Sequence, residues 1–257
     1  MQLPDLLKAV AYIKAMNGGG SRAQLVLGSD DEYYVIKLIG NPQGTRILAN
    51  EYMTGKVAKL LNVPCPETTI MVVDETMIQH MNGTCGTQFG PGLQHAMAYL
   101  GGETIRVFPS NLDLMTKASN VDKWPNAIIF DTLVQNEDLG DRHILVAVDD
   151  NDTKFWHIDH GHTLGVTQGW ASLRPEKVAV RNLYPSLVKG EEPFKDAFER
   201  LNAISKDAIE AALQPCPLDE WGVASSEPEG LVSYLMSARS KVQESIIASK
   251  GNWPNWK

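Results

Sequence analysis

The residues best suited to chemistry lie between Asp131 and Gly161, where two acidic sites follow one another along the chain. The first contains Asp138 and the second contains Asp159. Each lies beside a short apolar run flanked by turn-forming residues, a pattern that predicts a β-hairpin with carboxylates at both ends. One carboxylate can orient a hydroxyl, and the other can hold a divalent cation, which favours hard oxygen ligands. Phosphoryl transfer from ATP needs this pair of groups.

The first third of the chain predicts a sheet with one helix. Apolar and β-branched runs predict strands at 7–16, 22–27, 33–39 and 68–73. Apolar residues at helical spacing predict a helix over 46–61, and Pro64 lies beyond its end. The stretch 77–92 has no clear period and is expected to be irregular.

Three features of this first third could bind phosphate, although each also has an ordinary structural explanation. The glycine cluster at 17–21 would let backbone N–H groups approach an anion, but such clusters are usually flexible turns. Lys37 lies inside a predicted strand and could simply face solvent. Glu51 lies near the start of the predicted helix and could be only a partner of the helix dipole. Together, a strand lysine followed by a helix glutamate is how kinases fix the lysine that binds phosphate.

The rest of the chain predicts helices around the acidic hairpin. Helical patterns occupy 127–135, 194–213 (as two short helices) and 227–249, and 165–190 is irregular. The expected class is α+β in two lobes, with an N-terminal antiparallel sheet carrying one helix and a mainly helical C-terminal lobe. We place the N-terminal lobe at 1–98 and the C-terminal lobe at 99–257, with a ligand cleft between them.

Composition excludes several classes of protein. The chain has 257 residues and a net charge of -8, which argues against a general nucleic-acid-binding protein. No apolar run reaches the roughly 18 residues of a membrane span, and the N-terminus lacks the pattern of a signal peptide. The three cysteines, Cys65, Cys85 and Cys216, lack metal-binding spacing and favour a reducing, cytoplasmic location.

Several short motifs, in a consistent order, resemble those of the HipA-like kinases, a family with a protein-kinase-like fold. The resemblance runs from about Tyr12 to Lys241. The motifs that carry it are Gly19–Gln24, Tyr34–Lys37, Gly40–Arg46, Asn50–Glu51, Asn136–Asp138, Ile158–Gly161 and Leu218–Trp221. No single motif is specific, and the resemblance depends on their shared order.

The resemblance implies ATP and Mg²⁺ as cofactors and transfer of the γ-phosphoryl group to a hydroxyl, expected on a protein serine or threonine. Lys37, held by Glu51, would contact the α- and β-phosphates, Asp138 would orient or deprotonate the acceptor, and Asp159 would bind the metal. Backbone N–H groups of the phosphate loop would cover the phosphates, which gives a cofactor-binding set of Gly19, Gly20, Ser21 and Lys37. HipA-type toxins act with an antitoxin, so a regulatory partner is also implied, whereas the protein substrate stays unknown.

One position departs from the family pattern. An asparagine that binds the second metal should follow the catalytic aspartate by five residues, and His143 occupies that place if Asp138 is catalytic. A shifted register resembles the catalytic loop of phosphoinositide lipid kinases and makes Asp141 catalytic, but it puts Val146 where a ligand is needed. Three alternatives stay open: His143 binds metal, Asp141 replaces it, or metal binding is impaired and the chain is a pseudokinase.

Two further alternatives concern function and metal. The same catalytic groups would serve a kinase for a small molecule of the aminoglycoside or lipid type, whereas a pseudokinase would only bind nucleotide or a partner. His157, His160 and His162 suggest zinc, but their spacing does not put all three on one face of a strand. A zinc site is therefore not the favoured interpretation.

Overall fold

The computed structural model describes residues 6–16, 19–149 and 152–256. The strands are β1 (Leu7–Ala15), β2 (Gln24–Gly28), β3 (Tyr33–Lys37), β4 (Thr68–Val73), β5 (Gly92–Ala98), β6 (Glu103–Arg106), β7 (Ile144–Asp149) and β8 (Asp152–His157). The helices are α1 (Arg46–Leu60), α2 (Glu75–Cys85), α3 (Asp113–Lys117), α4 (Trp124–Leu133), α5 (Phe194–Ala203), α6 (Lys206–Leu213) and α7 (Glu227–Ala248). No helix among the described residues is long and apolar enough to cross a membrane.

The N-terminal sheet is a closed barrel with the strand order β1-β2-β3-β5-β4. Neighbouring strands are antiparallel except β1 and β4, which pair in parallel with Leu7 opposite Met71. The expectation of a purely antiparallel sheet was therefore wrong at this pair. The apolar pattern of a single strand indicates which face is buried, but it carries no information about the direction of its neighbour. The barrel closes through only two residue pairs, Leu7 with Met71 and Lys8 with Val72.

A second helix, α2, accompanies the barrel, so the prediction of one helix and of an irregular 77–92 stretch was also wrong. Asp74 caps α2, because its side chain accepts a hydrogen bond of 2.8 Å from the backbone N–H of Met77. The helix ends at Gly86, whose φ of 63° is left-handed and suits glycine. Only Ile78 and Met81 of this helix are buried, so its apolar period is too short to recognise in the sequence.

The acidic hairpin predicted from the sequence is present. Strands β7 and β8 are antiparallel, with Ile144 opposite His157, and β6 adds a third strand beside β7. Residues 150–151, which separate β7 from β8 in the sequence, and residues 17–18 of the glycine cluster lie outside the described residues. The proposed boundary between 1–98 and 99–257 falls directly after β5 and stays a prediction.

Helix α1 packs against strands β4 and β5 of the barrel and also against the helices α4 and α6. Its apolar residues Ile47, Leu48 and Met53 belong to one large core that includes residues of α4 and α7. The barrel interior forms a separate, smaller core around residues such as Val26 and Ile36. The position of α1 is therefore set by both parts of the molecule, since the core that contains its apolar residues also includes Ile70 of β4.

A bidentate ion pair fixes the start of α1. The two terminal nitrogens of Arg46 donate to the two carboxylate oxygens of Glu227, at 3.0 and 2.5 Å. Glu227 also accepts hydrogen bonds from the backbone N–H groups of Trp170 (2.6 Å) and Ala224 (3.0 Å). Arg46 lies over the ring of Trp170 as well, so one arginine joins α1 to α7 and to the loop before α5.

We expect Arg46→Met to lower the free energy of unfolding by about 2–3 kcal/mol, because it leaves the carboxylate of Glu227 without its counter-ion in a largely buried place. Lys59→Met, on the same helix, is the matched control. Lys59 pairs with Glu67 in the open, with both side chains 67% exposed, and its loss should cost no more than about 0.5 kcal/mol. Urea unfolding followed by tryptophan fluorescence measures both, and equal losses would contradict the prediction.

Candidate active site

A buried ion network lies where the barrel meets the helical part. Lys37, at the end of β3, donates through Nζ to Oε1 of Glu51 on α1 and to Oδ1 of Asp159, at 2.6 Å from the latter. Lys37 and Glu51 are only 8% and 4% exposed. The lysine expected to contact the phosphates and the aspartate expected to bind the metal are therefore in direct contact. Both ordinary explanations fail in this geometry, because Lys37 does not face solvent and Glu51 binds a side chain.

The charges of this network stabilise one another. Burial by itself would lower the pKa of Lys37, but the charges of Glu51 and Asp159 outweigh it and hold that pKa above its usual value. Burial would likewise raise the pKa of Asp159, yet Lys37 and the nearby histidines depress it. Burial dominates at Glu51 and raises its pKa despite Lys37. Lys37 therefore carries a fixed positive charge at the cavity that it lines.

The loop that carries Asp159 is held in an unusual backbone conformation. Asp159 has a φ of 65°, in the left-handed region that is uncommon for residues other than glycine. The loop is tied to α1 through Asn50, whose amide donates to the carbonyls of Gly161 (3.1 Å) and Thr163 (2.8 Å). Trp170 completes this arrangement by donating its indole N–H to Asn50 at 2.8 Å. Side-chain hydrogen bonds thus support the strained residue from α1.

Asp138 lines the same cavity. Its backbone N–H donates to the side-chain oxygen of Asn136 (3.2 Å), and Asn136 in turn donates to Asp131 (2.7 Å). The carboxylate oxygen Oδ1 of Asp138 accepts from Arg142 at 2.5 Å, and Oδ2 is directed towards His143. Asp138 is therefore oriented by its own loop, with one oxygen outside the ion pair.

The sequence interpretation missed a buried polar chain that joins the two acidic loops. Oδ2 of Asp131 contacts His157 Nε2 at 2.9 Å, and His157 Nδ1 contacts His160 Nε2 at 2.7 Å. Burial, with the neighbouring His157, lowers the pKa of His160 well below its usual value. The signal was present, because Asp131, His157 and His160 were all noted, but only zinc was considered for the histidines.

The structure gives the three histidines separate roles rather than a shared zinc site. His162 contacts Gln43 at 2.8 Å instead of the other two. Within the described ranges, no group of three or more His, Cys, Asp or Glu side chains is arranged to hold a metal ion by itself. Any metal here would have to take ligands from another molecule, as Mg²⁺ does when it binds one or two carboxylates plus substrate phosphates.

His143 and Asp141 differ sharply in their surroundings. His143 is 1% exposed, and its Nε2 lies 3.6 Å from Asp159 Oδ2 and 3.8 Å from Asp138 Oδ2. Asp141 lies outside the cavity lining, where its carboxylate accepts a hydrogen bond of 2.9 Å from Tyr184. Of the two alignments of the catalytic loop, the geometry favours the one that uses Asp138, because Asp138 lines the cavity with Asp159 and Asp141 does not.

A cavity of about 240 Å³ connects these groups. Lys37, Glu51, Asp138, His143 and Asp159 all line it. The phosphate loop predicted from the sequence also lines it, with Gly19, Gly20 and Ser21. A Cβ at Gly20 would lie 2.8 Å from the side-chain amide nitrogen of Gln43, which is the flexible end of a side chain that can move aside. Asp159 and His143 offer one oxygen and one nitrogen donor, so the site fits a divalent ion that another molecule helps to bind.

Comparison with known sequences identifies the family. The model of a family described as HipA-like kinase matches residues 9–167, which is more than half of the chain. The chain belongs to the HipA-like kinase family. No curated protein matches the sequence significantly. The matched range contains every motif of the resemblance noted above except Leu218–Trp221.

Solved structures show that this HipA-like kinase has a kinase fold. It is similar to the proinflammatory kinase CtkA of Helicobacter pylori, with a TM-score of 0.59 and 15% identity over 90% of this chain and 92% of that one. It is also similar to the Golgi casein kinase with Mn/ADP bound, with a TM-score of 0.52 and 13% identity over 95% of this chain and 73% of that one. At these identities the likeness concerns the fold, with an N-terminal sheet and a helical C-terminal part.

We expect Lys37→Met to destabilise the fold at pH 8 by about 3 kcal/mol, because Glu51 stays buried without a counter-charge. A carboxyl whose pKa is higher in the folded than in the unfolded chain binds more protons when folded. The variant should therefore regain stability as the pH falls from 8 towards the unfolded glutamate pKa of about 4.3. Urea unfolding at several pH values measures this recovery.

The double variant Lys37→Met/Glu51→Gln is the control for that prediction. It cannot take up the proton at position 51, so its stability should vary much less with pH over the same interval. If both variants showed the same pH profile, the recovery would come from another group, and the assignment to Glu51 would be wrong.

Proposed function

We propose that this protein is an ATP-dependent kinase that transfers the γ-phosphoryl group to a hydroxyl, with a protein serine or threonine as acceptor. The observation that carries the proposal is that Lys37, Glu51, Asp138 and Asp159 line one cavity, with Lys37 bound to both Glu51 and Asp159. A fixed cation, a candidate metal-binding carboxylate and a second carboxylate facing the same space are what phosphoryl transfer requires. Membership of the HipA-like kinase family supports it.

The shape of the cavity supports a nucleotide. We infer that the barrel and the helical part act as two lobes that enclose it. The base would lie between Ala23 and Val35 of the barrel and Leu145 and Ile158 below, all of which line the cavity. The triphosphate would then extend towards Lys37, under the loop of residues 19–21, whose backbone N–H groups suit an anion.

Each charged residue then has a distinct task. Lys37 would neutralise the α- and β-phosphates, and the ion pair with Glu51 holds the ammonium group of Lys37 in place. Oδ2 of Asp138, which lies outside the ion pair with Arg142, would accept the proton of the acceptor hydroxyl as it attacks. Asp159 and His143 would hold a divalent ion, which when bound reduces the negative charge that develops on the phosphates. The Golgi casein kinase with Mn and ADP bound supports the use of nucleotide and metal.

The charge around Asp138 bears on the acceptor. A cationic small molecule, such as an aminoglycoside, would need an acidic pocket around the catalytic carboxylate. Arg142, with a side chain that is 53% exposed, stands beside Asp138 at the cavity instead. This positive charge favours a neutral or acidic acceptor, and a hydroxyl in a protein segment fits that description better than an aminoglycoside.

A nucleotide-binding pseudokinase is the second candidate function. It is favoured by one observation, the imidazole of His143 at the position where the family pattern has a metal-binding asparagine. In that case ATP would bind and stabilise the protein without being consumed. Turnover and binding must therefore be measured on the same samples.

We expect purified protein to transfer label from [γ-³²P]ATP to itself or to a generic protein acceptor in the presence of Mg²⁺ or Mn²⁺. Asp138→Asn should lower the rate about 10²–10⁴-fold, because the variant cannot accept the hydroxyl proton. Asp159→Asn should abolish transfer and also weaken nucleotide binding. Asp141→Asn should change the rate less than about threefold, since Asp141 binds Tyr184 outside the cavity.

The outcomes separate the alternatives. Thermal stabilisation by ATP without transfer under either metal would establish the pseudokinase instead. Loss of activity in Asp141→Asn but not in Asp138→Asn would show that the shifted register is the correct one. The absence of both nucleotide binding and transfer in folded protein would refute the proposal as a whole.

A further inference from the structure

The backbone of His143 is held tightly on both sides. Its N–H donates to the carbonyl of Gly140 (2.9 Å), and its carbonyl accepts from the N–H of Ile158 (2.9 Å). Ile158 directly precedes Asp159, so the hydrogen bond places His143 and Asp159 next to each other on adjoining segments. The imidazole therefore points into the site from a rigid support and not from a mobile loop.

Neither ring nitrogen of His143 has a hydrogen-bond partner among the described residues, although the side chain is only 2% exposed. Such a group is rare, because leaving a buried nitrogen unpaired costs about 1–3 kcal/mol. His157 and His160, which are equally buried, are paired with each other and with Asp131. His157 and His160 therefore have hydrogen-bond partners, whereas the ring nitrogens of His143 have none among the described residues.

Two carboxylates present their remaining oxygens to this nitrogen. Oδ1 of Asp159 is held by Lys37, and Oδ1 of Asp138 is held by Arg142. The second oxygen of each carboxylate lies 3.6 Å (Asp159) and 3.8 Å (Asp138) from His143 Nε2. These separations are too long for hydrogen bonds. The separation between Oδ2 of Asp159 and Nε2 of His143 is short enough for these two atoms to bind one ion, because ligand atoms about 2.0–2.2 Å from a small cation can be up to about 4.4 Å apart.

We propose that His143 is a metal ligand and that it makes this site selective for a divalent transition ion of the Mn²⁺ type over Mg²⁺. The proposal rests on the proposed function in one respect, namely that a nucleotide binds in the cavity and contributes phosphate oxygens. It names the metal that the kinase uses, and it explains how a chain without the asparagine of the family pattern can still bind one.

The choice of metal follows from the donor atoms. Mg²⁺ requires oxygen ligands and near-ideal octahedral geometry, and it exchanges water for nitrogen reluctantly. First-row transition ions accept imidazole together with carboxylate, and their affinity for mixed nitrogen and oxygen sites starts at Mn²⁺ and increases along the series. An asparagine amide would offer an oxygen at this position, whereas His143 offers only nitrogen. The substitution therefore changes the type of donor without removing it.

The same geometry predicts that metal and nucleotide bind together. Asp159 and His143 are two protein donors, and no third His, Cys, Asp or Glu among the described residues is arranged to join them, so an ion would be poorly coordinated by the protein alone. Phosphate oxygens would complete the coordination. The affinity for Mn²⁺ should therefore be at least tenfold higher in the presence of ADP than in its absence.

Pulsed electron paramagnetic resonance on the full chain with Mn²⁺ and ADP tests the contact itself. The spin-echo envelope should show modulation from a directly bound imidazole nitrogen, and His143→Asn should remove it. His80→Asn is the matched control, because His80 is an exposed residue of α2 that does not line the cavity. Nitrogen modulation that persists in His143→Asn, or that never appears in the wild-type complex, overturns the proposal.

Calorimetric titration of ADP in the presence of Mn²⁺ or Mg²⁺ tests the selectivity. We expect the ratio of the two affinities to favour Mn²⁺ in the wild-type protein and to fall about tenfold in His143→Asn, with recovery of Mg²⁺ binding. An unchanged ratio in His143→Asn overturns the proposal and leaves the kinase function intact. If ADP binds with neither metal, the proposed function itself fails, so the two failures are distinguishable.

Discussion

The structure depends on one buried positive charge. The ammonium group of Lys37 is removed from water and is stable only because Glu51 and Asp159 approach it from two different parts of the chain. Those two residues belong to α1 and to the loop after β8, so satisfying one lysine fixes the distance between the barrel, the helix and that loop. A misplaced α1 would leave a charge in the interior without compensation, which is far more costly than a lost surface contact.

Helix α1 transmits this constraint because it is attached to both sides. Its apolar face packs into the large core with α4 and α7, and Arg46 joins its start to Glu227. Asn50, one residue before Glu51, binds the loop that follows Asp159. The same helix turn therefore orients the carboxylate that faces Lys37 and the backbone that carries Asp159. The packing of α1, its ion pair with Glu227 and the geometry of the site therefore depend on one another.

Elements with a clear periodic pattern could be located from the sequence, whereas the pairing of segments that are distant in sequence could not. Strand and helix periods located β3 and α1, and the order of short motifs indicated Lys37, Glu51, Asp138 and Asp159. The parallel pairing of β1 with β4, and the hydrogen bonds of Asp131 to His157, join residues distant in sequence and leave no periodic trace. Helix α2 was missed because only two of its side chains are buried. The chemical roles of the site residues are not readable from position alone.

The chain of Asp131, His157 and His160 has a consequence for how this protein could change over time. Asp131 contacts His157 and His157 contacts His160, so replacing His157 would leave two buried polar groups without this partner. The two loops are thus joined through buried side chains. Diverging relatives should exchange these three residue types together or keep all of them, and a transplanted loop would have to bring its histidines along.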